Sequence, residues 1–172
     1  MIPVVTYIST RVGKRKAFLL ATLISMVGYA LKWWGFNPAN PYMMFIPLPL
    51  ISFGIGGLFT LMMSMTPDVC DLDELNNGMP RKEGTFGAIY WWMVKLGQAL
   101  ALVMGGLVLK LVGFDGNAAQ QTAETLLNLR IADIVIPATT AFLAILVMWG
   151  YSLTEERARE IKEELEARRG VL

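Results

Sequence analysis

Four apolar blocks divide this chain of 172 residues, each about 20 residues long, which is the length that crosses the hydrocarbon core of a bilayer. They run over residues 18–34, 42–65, 84–112 and 131–151. With 55% of residues hydrophobic and only 17% charged, the composition is that of a membrane protein rather than a soluble domain. In lipid every backbone N–H and C=O must be satisfied within the protein, so each block is expected to be a helix. The fold class is therefore an all-α membrane protein. Gly35-Phe36-Asn37-Pro38-Ala39-Asn40-Pro41 supplies a turn of helix breakers between the first two spans. Asp115-Gly116-Asn117 opens a polar loop that ends near Glu124.

The basic residues set the topology. Arg11, Lys14, Arg15 and Lys16 precede the first span, and Arg81 and Lys82 precede the third. Arg157, Arg159, Lys162, Arg168 and Arg169 follow the fourth. All three clusters fall on one side of a four-span arrangement. The two opposite loops carry no Lys or Arg, and Lys32, Lys110 and Arg130 lie at the opposite span ends, where they can snorkel. The positive-inside rule places the N-terminal loop and the C-terminus in the cytoplasm, of a multi-pass protein in the cell's inner or plasma membrane. Trp33, Trp34, Phe36 and Tyr42 gather at the other boundary as an aromatic belt would. Met1 to Ile8 lacks a basic region and a cleavage site and is a poor signal peptide. It reads as the end of a membrane helix whose beginning is missing. Residues 1–152 then form the transmembrane domain and 153–172 a cytoplasmic tail helix, with Ser152 and Glu155 at capping-box spacing. Glu155–Arg159 and Glu164–Arg168 are helix-spaced pairs, and Ala158, Ile161 and Leu165 form a narrow apolar stripe. A solvated helix is the expected state of this tail.

One charge stands out. Lys95 lies near the middle of the third span, where a cation costs about 2.5–3.5 kcal/mol on insertion scales unless it faces protein or water. It is expected in a watery, ligand-accepting chamber. Tyr90 and Trp91, within a turn and a half, offer flat apolar faces suited to a sugar ring. Gln98, three residues on, can line the same side, while Trp92 is a weaker candidate for the cavity. Gly97, Ala101 and Gly105 form a stripe that permits close helix contact, for packing or for sliding. Pro47, Pro49, Gly54, Gly56 and Gly57 allow the second span to bend or break. Asp68, Asp71 and Glu74 follow the second span at steps of three, facing Arg81 beyond the turn Asn76-Asn77-Gly78-Met79-Pro80. A solvated loop is the plain reading, and a latch of charge pairs at a cytoplasmic gate is the functional one. Calcium binding has little support, because Asp71 and Asp73 lack the further ligands and glycine of an EF-hand loop. No metal site is expected. The chain has no histidine and one cysteine, Cys70, which leaves no disulfide and no convergent nucleophile–base pair, so an enzyme is not expected. A nucleic-acid partner is not expected either, since the basic residues cluster at block ends.

Thr66-Pro67-Asp68-Val69-Cys70-Asp71-Leu72-Asp73-Glu74-Leu75, then Arg81-Lys82-Glu83-Gly84, then Lys95-Leu96-Gly97, together resemble the glycoside–pentoside–hexuronide:cation symporters. These are melibiose-permease-like members of the major facilitator superfamily. Arg11-Val12-Gly13-Lys14-Arg15 resembles the basic loop before the family's ninth helix. The resemblance implies a partial C-terminal half: the end of helix eight, helices nine to twelve and the tail. It implies alternating access around a polar cavity, with sugar or glycoside moved together with sodium, lithium or protons. Lys95 matches the family's intramembrane lysine near the sugar and cation sites, and Asp68, Asp71, Glu74 and Arg81 match its cytoplasmic gate. Tyr90 and Trp91 stand where members often carry smaller polar groups. The paired aspartates of the cation site belong to the missing N-terminal helices, so the coupling ion, sodium or proton, finds no complete site here and no other cofactor is expected. The alternatives are a structural or orphan membrane module without transport of its own, and a facilitator with a non-sugar cargo.

Overall fold

The structure is a computed structural model and describes residues 2–37, 40–78 and 81–170. The parts of the two turns formed by Pro38, Ala39, Met79 and Pro80, the end of the tail at 171–172 and Met1 lie outside the described residues.

Among the described residues six α-helices follow one another: α1 Ile2–Val12, α2 Lys14–Gly35, α3 Pro47–Asn77, α4 Glu83–Leu111, α5 Ala123–Trp149 and α6 Glu155–Arg169, with a 3-10 turn at Pro41–Phe45 leading into α3. Four stretches of the described residues are long and apolar enough to cross a membrane: α2, α4, α5, and α3 together with the 3-10 turn. α1 and α2 are separated by Gly13 alone, whose φ of 85° is open to glycine and strained for other residues. The basic residues expected in a loop therefore straddle a sharp joint between two helices.

α2 is the hub, packing on α1, α3 and α5. Its contact with α3 depends on small residues. A Cβ added to Gly54 would lie 1.5 Å from Ser25 Oγ and 2.7 Å from the Ala21 carbonyl, and one added to Gly57 would meet Ala21 Cβ at 2.9 Å. Gly54 and Gly57 thus serve close approach, whereas Gly56 faces open space, and α3 is one continuous helix, not a broken one. Its two early prolines cause no break because they occupy the first turn, where no intrahelical N–H is needed. Phe18, Leu61, Met65, Val5 and Met148 fill the core around this contact. α4, by contrast, has no buried residue. Nothing lies within 4 Å of where a Cβ would stand on Gly97 or Gly105.

Two expectations on helix ends change. α5 begins at Ala123, eight residues before the expected span, because Thr122 caps it by accepting from the Thr125 amide at 3.1 Å. Glu124 then sits in the first turn, where the helix dipole favours an acid. The tail helix is capped by Thr154, which accepts from the Arg157 amide at 3.3 Å, and not by Ser152. Of the expected pairs, Glu164–Arg168 forms at 3.0 Å and Glu155–Arg159 does not form among the described residues; Arg157–Glu160, which was not expected, forms at 2.8 Å. The tail is also not fully solvated. Its apolar stripe docks on the end of α3, with Ile161, Leu165 and Leu153 buried against Val69, Leu72, Leu75 and Tyr151. Arg168 fastens that contact by donating to the Leu75 carbonyl at 3.3 Å. Two large apolar side chains one turn apart on the helix, with Leu153 just before it, hold these 15 residues in place, each contributing about 1.5–3 kcal/mol when removed from water.

Candidate functional site

α3 has 31 residues, about 46 Å at 1.5 Å per residue, against a hydrocarbon core of about 30 Å. Its last turns therefore project past the apolar layer, and they carry the acidic run. Basic residues arrive at the same place from two directions. Lys14, the first residue of α2, pairs with Asp68 at 2.6 Å and also donates to the Ser64 carbonyl at 3.1 Å. From the α3–α4 connection, Arg81 pairs with Asp71 at 3.4 Å and with Glu83 at 2.8 Å, and Lys82 pairs with Asp73 at 3.1 Å. Asp73 further accepts from Asn77 Nδ2 at 2.7 Å. Glu74 caps the turn through its backbone, its carbonyl accepting from the Gly78 amide at 2.9 Å. Among the described residues no group of three or more acids, histidines or cysteines is arranged to hold a metal ion.

These pairs are partly open to solvent, with the side chains of Lys14 and Asp68 each about one-fifth exposed. Ion pairs in such settings are worth about 1 kcal/mol or less each. Links of that strength can hold helix ends together and still be exchanged. Beside them, just beyond α5, the Tyr151 hydroxyl is buried without a hydrogen-bond partner among the described residues. Burial, and secondarily the negative charge of Asp68, push its pKa up to about 12.

The residues read as cavity lining divide into two groups. Tyr90 and Trp91 face α3. Their rings meet edge to face at 5.3 Å, and they line a cavity of about 160 Å³ with Met63, Thr66, Cys70 and Glu83. Cys70 is fully buried on its wall rather than sitting in a polar stretch. Lys95 and Gln98 are not on that wall. Both are exposed on α4, and Lys95 has no ion-pair or hydrogen-bond partner among the described residues. Among the described residues the lysine is not enclosed, because α4 packs sparsely, chiefly on α3 and α5, and buries nothing.

Sequence reasoning missed Lys14, Asp73 and Lys82 as members of the charge cluster. It also missed Asp133, which pairs with Lys32 at 2.6 Å at the opposite, aromatic end. Lys14 lies 54 residues from Asp68, so no local spacing signals that pairing. Lys82 adjoins Arg81 and faces the same acidic run, which was a usable signal.

A family model described as MFS/sugar transport protein matches residues 1–155. Among curated proteins, the chain is 29% identical over 169 residues to the glucuronide carrier protein homolog of Escherichia coli K12, covering 98% of this chain and 36% of that protein. It is 32% identical over 159 residues to a putative sulfoquinovose importer of the same organism, covering 91% and 33% of the two chains. A putative 2,3-dihydroxypropane-1-sulfonate exporter of that organism is 30% identical over 160 residues, with 92% and 34% covered. The chain thus spans about a third of the length of the curated relatives it matches. No solved structure matches it significantly.

Proposed function

The chain belongs to the MFS/sugar transport protein family, and on that premise we propose that it is the C-terminal portion of a cation-coupled sugar or glycoside symporter working by alternating access. The acidic end of α3 and its basic partners act as the cytoplasmic gate. Asp68, Asp71, Glu74 and Arg81 are its expected members, and Lys14, Asp73 and Lys82 join them. Lys95 and Gln98 belong to the substrate side of α4, while Tyr90 and Trp91, expected beside them, lie at its seam with α3. The bare surface of α4 is then the face that the rest of the transporter completes, forming the chamber in which the ammonium is hydrated or paired. The coupling ion, sodium or proton, is bound chiefly by those other helices.

The observation that carries this reading is the ring of weak ion pairs joining α2, α3 and the α3–α4 connection at one end of a four-span bundle. It supplies what alternating access requires, a closure made of contacts that are individually small and mutually replaceable. Two measurements test it in the complete transporter. Lys95→Gln should reduce substrate accumulation to background, and in the 172-residue chain, where the side chain has no partner among the described residues, it should leave thermal stability unchanged. Undiminished accumulation sinks the assignment. Cys70, buried beneath the gate, reports on opening: Asp71→Asn combined with Lys14→Gln should speed its alkylation by maleimide severalfold. An unaltered rate would show that these pairs do not hold the cytoplasmic side shut.

The exposed α4 also favours a second reading for the isolated 172 residues, a membrane module without transport of its own. Reconstituted alone into liposomes, it should show no sugar uptake above empty vesicles.

A further inference from the structure

At the aromatic end, a groove of about 610 Å³ opens between α2 and α5. Leu126, Leu127, Leu129 and Ile134 make its walls apolar. Its charges come from Lys32, Arg130 and Asp133. Lys32 Nζ lies 2.6 Å from the Asp133 carboxylate and packs over the Phe36 ring at 5.2 Å, so that carboxylate is already engaged. Arg130 has no carboxylate partner among the described residues. Its guanidinium lies 5.4 Å from the centre of the Trp33 ring and donates to the Phe36 carbonyl, just past the last turn of α2. That contact takes one of the five N–H donors a guanidinium carries. Two cations against one carboxylate leave the groove with a single net positive charge. The side chain of Arg130 climbs from the second turn of α5 to the level of the α2 terminus, beside Trp33 and Trp34. Tryptophan marks the depth of lipid headgroups, and a cation at that depth beside an apolar channel is chemically complementary to an anionic amphiphile.

We propose that this groove holds one anionic phospholipid, its phosphate on Arg130 and an acyl chain along Leu126, Leu127, Leu129 and Ile134. A guanidinium matches phosphate oxygens in bidentate fashion. A sugar fits poorly, because its hydroxyls would face the leucine walls without partners. A zwitterionic headgroup fits less well, because its ammonium would meet the net positive charge of the groove. Each cation near a membrane surface favours an anionic lipid by about fivefold.

Native mass spectrometry of the complete transporter in detergent tests this, with phosphatidylglycerol or phosphatidylcholine of identical chains added. The protein should retain one phosphatidylglycerol about fivefold more than phosphatidylcholine. Arg130→Gln should bring that ratio close to one, and Arg130→Lys should keep most of it. Equal retention of the two lipids by the unmodified protein, or retention of neither, overturns the proposal. So does a preference that survives Arg130→Gln. Displacement of the lipid by inorganic phosphate would assign the site to a soluble anion instead and equally overturns it. If Arg130→Gln fails to give a monodisperse protein, Leu127→Trp fills the groove and leaves every charge in place. Loss of the bound lipid then supports the proposal, and full retention overturns it.

Discussion

α2 and α4 are both apolar enough to cross a bilayer, yet α2 buries seven of its residues and α4 none. Apolarity alone does not choose a partner for a helix in lipid. Acyl chains are as apolar as leucine, so an exposed Leu or Val there carries no penalty and a buried one gains little beyond packing. Small residues set against a complementary surface make the difference. α2 presents Ala21, Ser25 and Gly28, and α3 answers with Ile51, Gly54 and Gly57. α4 has a comparable stripe in Gly97, Ala101 and Gly105, and the described residues bring nothing to its two glycines. The stripe is present and its counterpart is not, as fits a chain that spans about a third of the length of its relatives.

The contrast can be broken most decisively at Gly54. Gly54→Leu would drive a side chain into Ser25 and the Ala21 backbone, an overpacking cost of about 3 kcal/mol or more. The expected outcome is loss of monodisperse protein on size exclusion. Gly97→Ala makes no such collision and should leave the melting temperature of the 172-residue chain unchanged. An effect seen only in the complete transporter would sharpen the comparison, because it would show that other helices use the α4 stripe. A substitution that destabilises the short chain as much as Gly54→Leu would break it.

The next effect belongs to α6, which is held by a different force. Its docking surface lies past the apolar layer, so water drives the burial of Ile161, which is fully enclosed. Ile161→Ala should cost about 2–4 kcal/mol of that docking and expose the tail to limited proteolysis while the spans stay intact. A tail that remains resistant to protease would place its stability elsewhere. Asp68→Asn comes below that. It removes the partly exposed ion pair with Lys14, worth about 1 kcal/mol or less, to be read as a small drop in melting temperature that Lys14→Gln on the same chain should not deepen. The smallest is Glu164→Gln in the exposed pair with Arg168. It should change stability by about 0.3–0.5 kcal/mol, within the error of a thermal scan.

The four spans were legible because hydrocarbon thickness imposes a length that the apolar blocks display directly. The helix ends were less so. α5 starts inside what reads as a polar loop, since Thr122, Glu124 and Arg130 satisfy one helix turn and the aromatic boundary while looking hydrophilic in sequence. The acidic face of α3 was visible from its three-residue steps. Its partner Lys14 was not, because the joint at Gly13 and the packing of α2 on α3 bring it there. Asp133 and Lys32 were hidden for the same reason. Each sits in a different span, and the crossing of α2 and α5 decides whether the two charges meet. Lys95 was conspicuous in sequence, but the described residues leave it exposed on α4, because a lone charge within a span does not say which helix lies against it.

The same two turns of α3 carry two unrelated loads. Val69, Leu72 and Leu75 seat the tail helix, while Asp68, Asp71 and Asp73 grip the neighbouring basic residues. A rod gripped on both sides transmits any tilt from one grip to the other. If the acidic end of α3 is the gate proposed above, truncations or fusions that dislodge the C-terminal helix are therefore expected to alter how readily that gate opens.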